Sequence, residues 1–164
     1  MIAGSGLMLV PVLAAANTLA ASPTLQSLLG VQSAQAALLK MFTGETDEHA
    51  DSDIRPRVLL DFLDGGTWER SSTTFYLGNG TVECVLEIPT PETLLGDDQR
   101  RAAREWFYQA VGNVLMEMMA NSVQANADYL NVITYTLQLI GRADPKENDG
   151  PDFWVCVLDL VWKG

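Results

Sequence analysis

The chain has 164 residues, of which 48 % are hydrophobic, and it carries 10 Lys and Arg against 21 Asp and Glu. This length is typical of one domain with a hydrophobic core of its own. The formal net charge of −11 disfavours a nucleic-acid-binding protein, because a phosphate clamp needs clustered cations. A strongly acidic surface can instead repel the DNA backbone and let a duplex slide past.

The first 38 residues are predicted to form an apolar helical arm. Residues 7–21 are apolar, but this stretch is shorter than a membrane span. A signal peptide would need a Lys or Arg ahead of its apolar stretch, and none is present here. Ser22 and Pro23 are typical of the cap and first position of a second helix. We expect this arm, residues 1–38, to pack on a neighbouring subunit, and residues 39–164 to form a single α+β domain.

Residues 44–53 are polar and acidic and include the only histidine, His49. Alternating acids are typical of calcium-binding loops. However, Ser52 stands where the EF-hand pattern needs glycine, and no suitable glutamate follows. The sequence therefore favours a solvated loop over a metal site.

Alternating polar and apolar residues predict strands at 57–63, 73–77 and 81–89. Gly78-Asn79-Gly80 separates the last two strands and is typical of a tight hairpin turn. In the strand at 81–89, the apolar side chains are expected to face the core, while Glu83 and Glu87 face solvent.

The longest helix is predicted to begin at Asp97 and to end near residue 125, because apolar residues recur at spacings of three and four. Arg100, Arg101 and Arg104 lie in its first turns. They predict either a solvated helix face or a docking point for an acidic partner surface.

Two strands are predicted to close the chain, at 131–141 and 152–162, with a loop of turn-forming residues between them. The last strand is apolar on both faces, so its second face is expected to be covered by another subunit. The residues assigned to this subunit interface are Phe153, Val155, Val157 and Val161. The predicted fold class is α+β, with a mostly antiparallel sheet and the long helix packed on one of its faces.

No catalytic motif is visible in the sequence. It has no Gly-x-Ser-x-Gly elbow, no phosphate-binding loop and no cluster of metal ligands. Cys84 and Cys156 fall at predicted inward positions and are expected to be buried free thiols. We therefore expect no catalytic residue, cofactor or metal, and a protein that is not an enzyme.

The order of elements resembles that of the tail terminator and neck proteins of long-tailed bacteriophages. The resemblance covers roughly residues 40–163. Its main points are Trp68 ahead of the predicted hairpin, the proline-containing exit at Pro89 and Pro91 into the long helix, and an aromatic-rich last strand.

This resemblance implies a structural virion protein, assembled in the host cytoplasm, that forms a typically hexameric ring at the head-proximal end of the tail. Such a ring ends tail-tube polymerisation and contacts the tail tube protein and the head connector or adaptor. DNA would pass through the lumen without specific binding, and no membrane would be involved. The acids expected to line that lumen are Asp61, Glu83, Glu87 and Asp159.

Two alternatives remain open at the level of sequence. The first is another neck adaptor or minor tail protein, because these proteins share ring-forming α+β folds. The second is a small-ligand binding module, in which the long helix covers a curved sheet and closes an apolar pocket.

Overall fold

The computed structural model describes the backbone of residues 10–43, 55–62, 67–70, 76–127, 136–138, 143–148 and 153–163. These residues form an α+β fold in which helices pack on a mixed sheet, which confirms the predicted class. The acidic segment 44–53 and its calcium hypothesis lie outside the described residues.

Three short helices open the described chain: α1 (Val10–Ala20), α2 (Pro23–Leu28) and α3 (Ala34–Leu38). Ser22 caps α2 by accepting a hydrogen bond from the Leu25 N–H, and Pro23 occupies the first helical turn, as the sequence predicts. Ser33 caps α3 in the same way through the Ala36 N–H.

The described N-terminal helices belong to the core of their own chain. Ala14, Ala15 and Leu19 of α1 are fully buried, and they lie in the same hydrophobic cluster as the strands and the long helix. The expectation that this segment packs on a neighbouring subunit is therefore corrected for residues 10–38. Its buried apolar side chains pack within one chain, because the sheet and the long helix present an apolar surface to them.

Seven described strands form the sheet: β1 (Met41–Thr43), β2 (Arg57–Phe62), β3 (Thr67–Arg70), β4 (Tyr76–Pro89), β5 (Thr136–Gln138), β6 (Ala143–Asn148) and β7 (Phe153–Lys163). Strands β4 and β7 form the antiparallel centre, paired from Asn79 with Lys163 to Pro89 with Phe153. Strands β2 and β3 pair along the outer edge of β4, and β5 and β6 along the outer edge of β7. Strand β1 adds to β2 in parallel, and the other pairings are antiparallel.

The predicted hairpin turn at Gly78-Asn79-Gly80 is wrong. These residues lie inside the continuous strand β4, with Gly78 paired to Trp68 of β3 and Asn79 paired to Lys163 of β7. Backbone pairing on both sides holds this stretch extended and overrides its local preference for a turn.

The predicted loop before the last strand is also corrected. Residues 143–148 form β6, which pairs along β7 from Ala143 with Leu158 to Asn148 with Phe153. Pro145 is compatible with this position because β6 is an edge strand, where the backbone does not need to donate on both sides.

The long helix α4 (Arg100–Ala127) follows a 3-10 turn at Asp97–Gln99, so it begins three residues later than predicted. It buries Phe107, Val111 and Val114 against the helix-facing side of the sheet. The ring of Phe107 stacks on Trp154 of β7 with 5.3 Å between ring centroids, which fixes α4 over the centre of the sheet. Cys84 and Cys156 are buried free thiols on this same side, as predicted.

Candidate functional site

The sheet has two chemically different faces. Alternate residues of the central strands, such as Leu60, Cys84 and Leu158, are buried in the core under the helices. Their neighbours in sequence belong to the opposite face, because successive residues of a strand point to opposite sides. We call this second side the outer sheet face.

Three of the four predicted acids fall in one row across the outer sheet face. Glu83 of β4 pairs with Asp61 of β2 on one side and with Asp159 of β7 on the other. Residues directly opposite each other in an antiparallel sheet share a face, and neighbouring strands lie about 4.8 Å apart. The register therefore brings these positions together into what we call the acid row, where the side chain of Glu83 is partly exposed.

Glu87, the fourth predicted acid, has a different role. Its Oε2 accepts hydrogen bonds from the Nε atoms of Arg57, at 2.7 Å, and Arg55, at 2.8 Å. Glu87 is 8 % exposed and Arg57 is 3 % exposed, so this ion pair is buried. The prediction that Glu87 is a solvent-facing acid is therefore wrong, because two arginines offset its charge. The Arg57 Nη1 group is buried without a hydrogen-bond partner, so the buried charge of Arg57 is offset mainly by Glu87.

An apolar row lies next to the acid row on the outer sheet face. Leu59, Val85 and Val157 pair across β2, β4 and β7, and Val85 and Val157 are partly exposed. Val155 is only 8 % exposed within its own chain, so it does not need a neighbouring subunit for cover. Burial therefore gives no reason to place Val155 in a subunit interface, whereas Val157 is partly exposed at the surface. The side chains of Phe153 and Val161 lie outside the described residues.

A second surface lies on α4, on the side turned away from the core. We call it the α4 outer face. Its members recur at spacings of three and four residues, which places them on one side of a helix. They are Arg101, Arg104, Glu105, Tyr108, Gly112, Met116 and Met119.

The α4 outer face combines exposed apolar side chains with a basic end. Tyr108, Met116 and Met119 are 50 %, 67 % and 60 % exposed. Arg101 is almost fully exposed and forms a 3.0 Å ion pair with Glu105 one turn along the helix. Arg100 and Arg104 are also exposed, so the three predicted docking arginines lie at the surface. The sequence identified the arginines but did not predict that Met116 and Met119 are exposed.

Glu117 ties α4 to the N-terminal helices, a contact that sequence analysis missed. Its carboxylate accepts hydrogen bonds from the Ser22 hydroxyl at 2.5 Å, the Thr24 hydroxyl at 2.7 Å and the Thr24 N–H at 3.0 Å. Burial disfavours the ionised form of this side chain, but the hydrogen bonds from Ser22 and Thr24 outweigh it and lower the pKa of Glu117. A signal was present in the sequence, since Glu117 is the only charged residue between positions 106 and 127.

A groove of about 410 Å³ runs between α2 and α4 beside this contact. It is open to solvent and its lining carries no charged side chain. The lining residues are Pro23, Thr24, Ser27, Leu28, Trp106, Gln109, Ala110 and Asn113. An open, uncharged groove differs from the closed apolar pocket expected of a small-ligand binding module.

Within the described ranges, no group of three or more His, Cys, Asp or Glu side chains is arranged to hold a metal ion. In the same part of the chain, no helix has both the length and the apolar character needed to cross a bilayer. No family model matches the sequence, and no curated protein matches it either. Its function is therefore inferred from the geometry of the two surfaces described above.

Proposed function

We propose that this chain is a non-enzymatic structural virion protein that forms a ring at the head-proximal end of a phage tail. In this role it ends tail-tube polymerisation and joins the tail to the head connector. The observation that supports this most is the acid row, in which Asp61, Glu83 and Asp159 share one register across the central strands of the sheet.

The acid row sets acids at directly opposite positions on three neighbouring strands. Like charges at such positions oppose sheet formation. A ring that repeats the row in every subunit would line its lumen with negative charge. Such a lining repels phosphates and lets DNA pass without binding.

The partners in this proposal are further copies of the chain, typically six in a ring, together with the tail tube protein and the head connector or adaptor. The net charge of −11 suits a conduit rather than a specific DNA-binding site. No cofactor or membrane enters the proposed role.

Native mass spectrometry of the purified chain tests this function directly. We expect a hexamer, or a monomer that closes into a ring as its concentration rises, and negative-stain images should then show annular particles. We also expect no retention of duplex DNA at moderate salt. A chain that stays monomeric at every concentration and co-purifies with a small molecule would contradict the proposal.

Two alternatives predict other outcomes. A neck adaptor or minor tail protein would also assemble, but its rings would bind a different neighbour, so the identity of the captured tail component separates these roles. A small-ligand binding module would remain monomeric, and the groove between α2 and α4 would be its first candidate site.

A further inference from the structure

We propose that the α4 outer face binds the α4 outer face of a second copy of this chain, with the two helices antiparallel and crossing at Gly112. This contact is isologous, because each copy contributes the same surface. It goes beyond the proposed ring and does not depend on it. A two-fold contact pairs two chains, whereas closure of a ring needs a separate head-to-tail contact.

The exposed apolar side chains of the α4 outer face form a strip along the helix axis. Five large hydrophobic side chains are exposed among the described residues, and three of them, Tyr108, Met116 and Met119, lie in this strip. Residues at spacings of three and four form a narrow line on one side of a helix. The surface that covers such a line must also be long and narrow, as a second helix is.

Gly112 lies at the centre of this strip. Glycine is among the least favourable residues in a helix interior, yet Gly112 is near the middle of a helix of 28 residues. A Cβ built there meets no atom within 4 Å, so packing within the chain does not require a glycine at this position. Without a side chain, the backbone of α4 is open to close approach by another backbone between Tyr108 and Met116.

A second copy of α4 fits the strip because the strip is balanced about Gly112. In an antiparallel helix pair, residues at equal distances before and after the crossing point face each other. Tyr108 is four residues before Gly112 and Met116 is four residues after it, so the Tyr108 ring of each copy meets the Met116 thioether of the other. Contacts between a thioether and an aromatic ring are favourable. Glu105 and Met119, seven residues before and after Gly112, form the next layer.

Charge favours this surface and this orientation. The chain carries −11, but the α4 outer face has Arg101 and Arg104 against one acid, Glu105, which is paired with Arg101. Two copies therefore approach through this surface without bringing unpaired acids together. A parallel pair would set the arginines of both copies side by side. An antiparallel pair separates them by about 24–33 Å, well beyond the screening length of about 10 Å.

The antiparallel orientation also brings arginines to the helix end that lacks cations. The last turn of α4 contains no basic residue, although the C-terminus of a helix carries a partial negative charge. Arg101 is eleven residues before Gly112, so it lies beside the eleventh residue after Gly112 of the partner. The partner helix ends at Ala127, four residues or about 6 Å further on, within reach of an extended arginine. Each copy thus supplies cations to the C-terminal end of the other.

A single cysteine at the crossing point tests this geometry. A residue on the two-fold axis faces its own copy, and helix axes 8–10 Å apart place the two Cα atoms about 4–5 Å apart, within disulfide range. Gly112→Cys should therefore cross-link to a dimer under oxidised glutathione, which is reduced as the disulfide forms. Cys84 and Cys156 are fully buried and should not react in the folded chain.

Asn113→Cys is the matched control for the cross-link. Asn113 is exposed, but it is turned by about 100° around the helix and lines the groove beside α2. We expect Gly112→Cys to cross-link at least about tenfold faster than Asn113→Cys, measured by non-reducing gel electrophoresis. Equal rates would overturn the contact.

A second pair of variants measures the affinity by analytical ultracentrifugation. Gly112→Arg places two like charges on the axis and fills the space between the helices, so self-association through α4 should weaken by about hundredfold or more. Asn113→Arg changes the net charge equally, from −11 to −10, and should associate like the wild type. Arginine forms helices better than glycine, and position 112 has open space, so Gly112→Arg should melt at the same temperature as the wild type or higher.

The outcomes separate this contact from the proposed ring. A wild type that forms dimers and grows no further, with preferential cross-linking at position 112, supports the contact and overturns the ring. A hexamer that forms equally well in Gly112→Arg, without preferential cross-linking, overturns the contact and leaves the ring intact. A wild type that stays monomeric, with Gly112→Cys reacting no faster than its control, overturns both.

Discussion

Replacing Glu117 with glutamine should weaken the attachment of α2 to α4 and lower the stability of the whole chain. The carboxylate accepts three hydrogen bonds from Ser22 and Thr24, and an amide can replace only part of them because its NH₂ group does not accept. A hydrogen bond to a charged group contributes about 1.5–3 kcal/mol when it is buried. Glu117 is only partly buried, so we discount the sum for solvent screening and expect a loss of about 2 kcal/mol at pH 7.

Urea unfolding of wild type and Glu117→Gln between pH 7 and pH 3 measures this contribution. The pKa of Glu117 is lowered in the folded chain, so its ionised form stabilises the fold. This contribution is complete above the unfolded glutamate pKa of about 4.3, and it is lost as the pH falls through the lower folded pKa. The difference between the two proteins should therefore be constant from pH 7 to pH 5 and should shrink below about pH 4. Other acids titrate in both proteins and cancel in the comparison.

Glu105→Gln is the matched control for this experiment. Glu105 lies on the same helix, but its side chain is exposed and forms an ion pair with the exposed Arg101. We expect this change to alter stability by less than about 0.5 kcal/mol. An equal loss in both variants, or a Glu117→Gln difference that persists unchanged at pH 3, would refute the role assigned to the Glu117 carboxylate.

Two further predictions concern the two faces of the sheet, and both are measured by urea unfolding at pH 7. Glu87→Gln should cost about 3 kcal/mol, because it leaves the buried Arg57 without its carboxylate, whereas Glu83→Gln should change stability by less than about 1 kcal/mol in either direction; equal losses would contradict the assignment. Phe107→Ala should lower the free energy of unfolding by about 3–5 kcal/mol, because it removes the buried ring that stacks on Trp154. Tyr108→Ala should change stability little, because Tyr108 is exposed. A larger loss for Tyr108→Ala would mean that α4 turns the opposite side towards the sheet.

Local signals in the sequence predicted local structure well. Ser22 and Pro23 predicted the start of α2 because capping depends on residues within one turn. The spacing of apolar residues predicted α4 over most of its length for the same reason. The inward positions on β4, including Cys84, followed from period-two alternation, which needs no knowledge of the strand's partners.

The errors arose where distant segments decide local structure. Gly78-Asn79-Gly80 favours a turn in isolation, but pairing with β3 and β7 on either side keeps it extended. Residues 143–148 include Asp144, Pro145 and Asn148, which disfavour a strand, and they form one because the edge of β7 is available to pair. These partners lie up to tens of residues away, so no local window contains them.

For the candidate surfaces, too, the sequence predicted the local features and missed those that depend on strand pairing. Alternation predicted that Asp61, Glu83 and Asp159 face outward, but strand register is what puts them in one row. Glu83 and Glu87 look equivalent in sequence because they are separated by two strand repeats. Only the pairing of β2 with β4 shows that Glu87 lies opposite Arg57 and is neutralised, while Glu83 lies opposite Asp61.

The contrast between the rows of Glu83 and Glu87 bears on function more than the net charge does. Acids that serve only solubility can be placed anywhere on the surface, including exposed turns such as the one holding Asp97 and Asp98. Here three acids occupy paired positions on central strands, where each like pair opposes sheet formation. Two rows away from Glu83 on the same sheet, Arg55 and Arg57 offset the charge of Glu87. Three acid positions in one register across neighbouring strands are the feature that the proposed lumen lining requires.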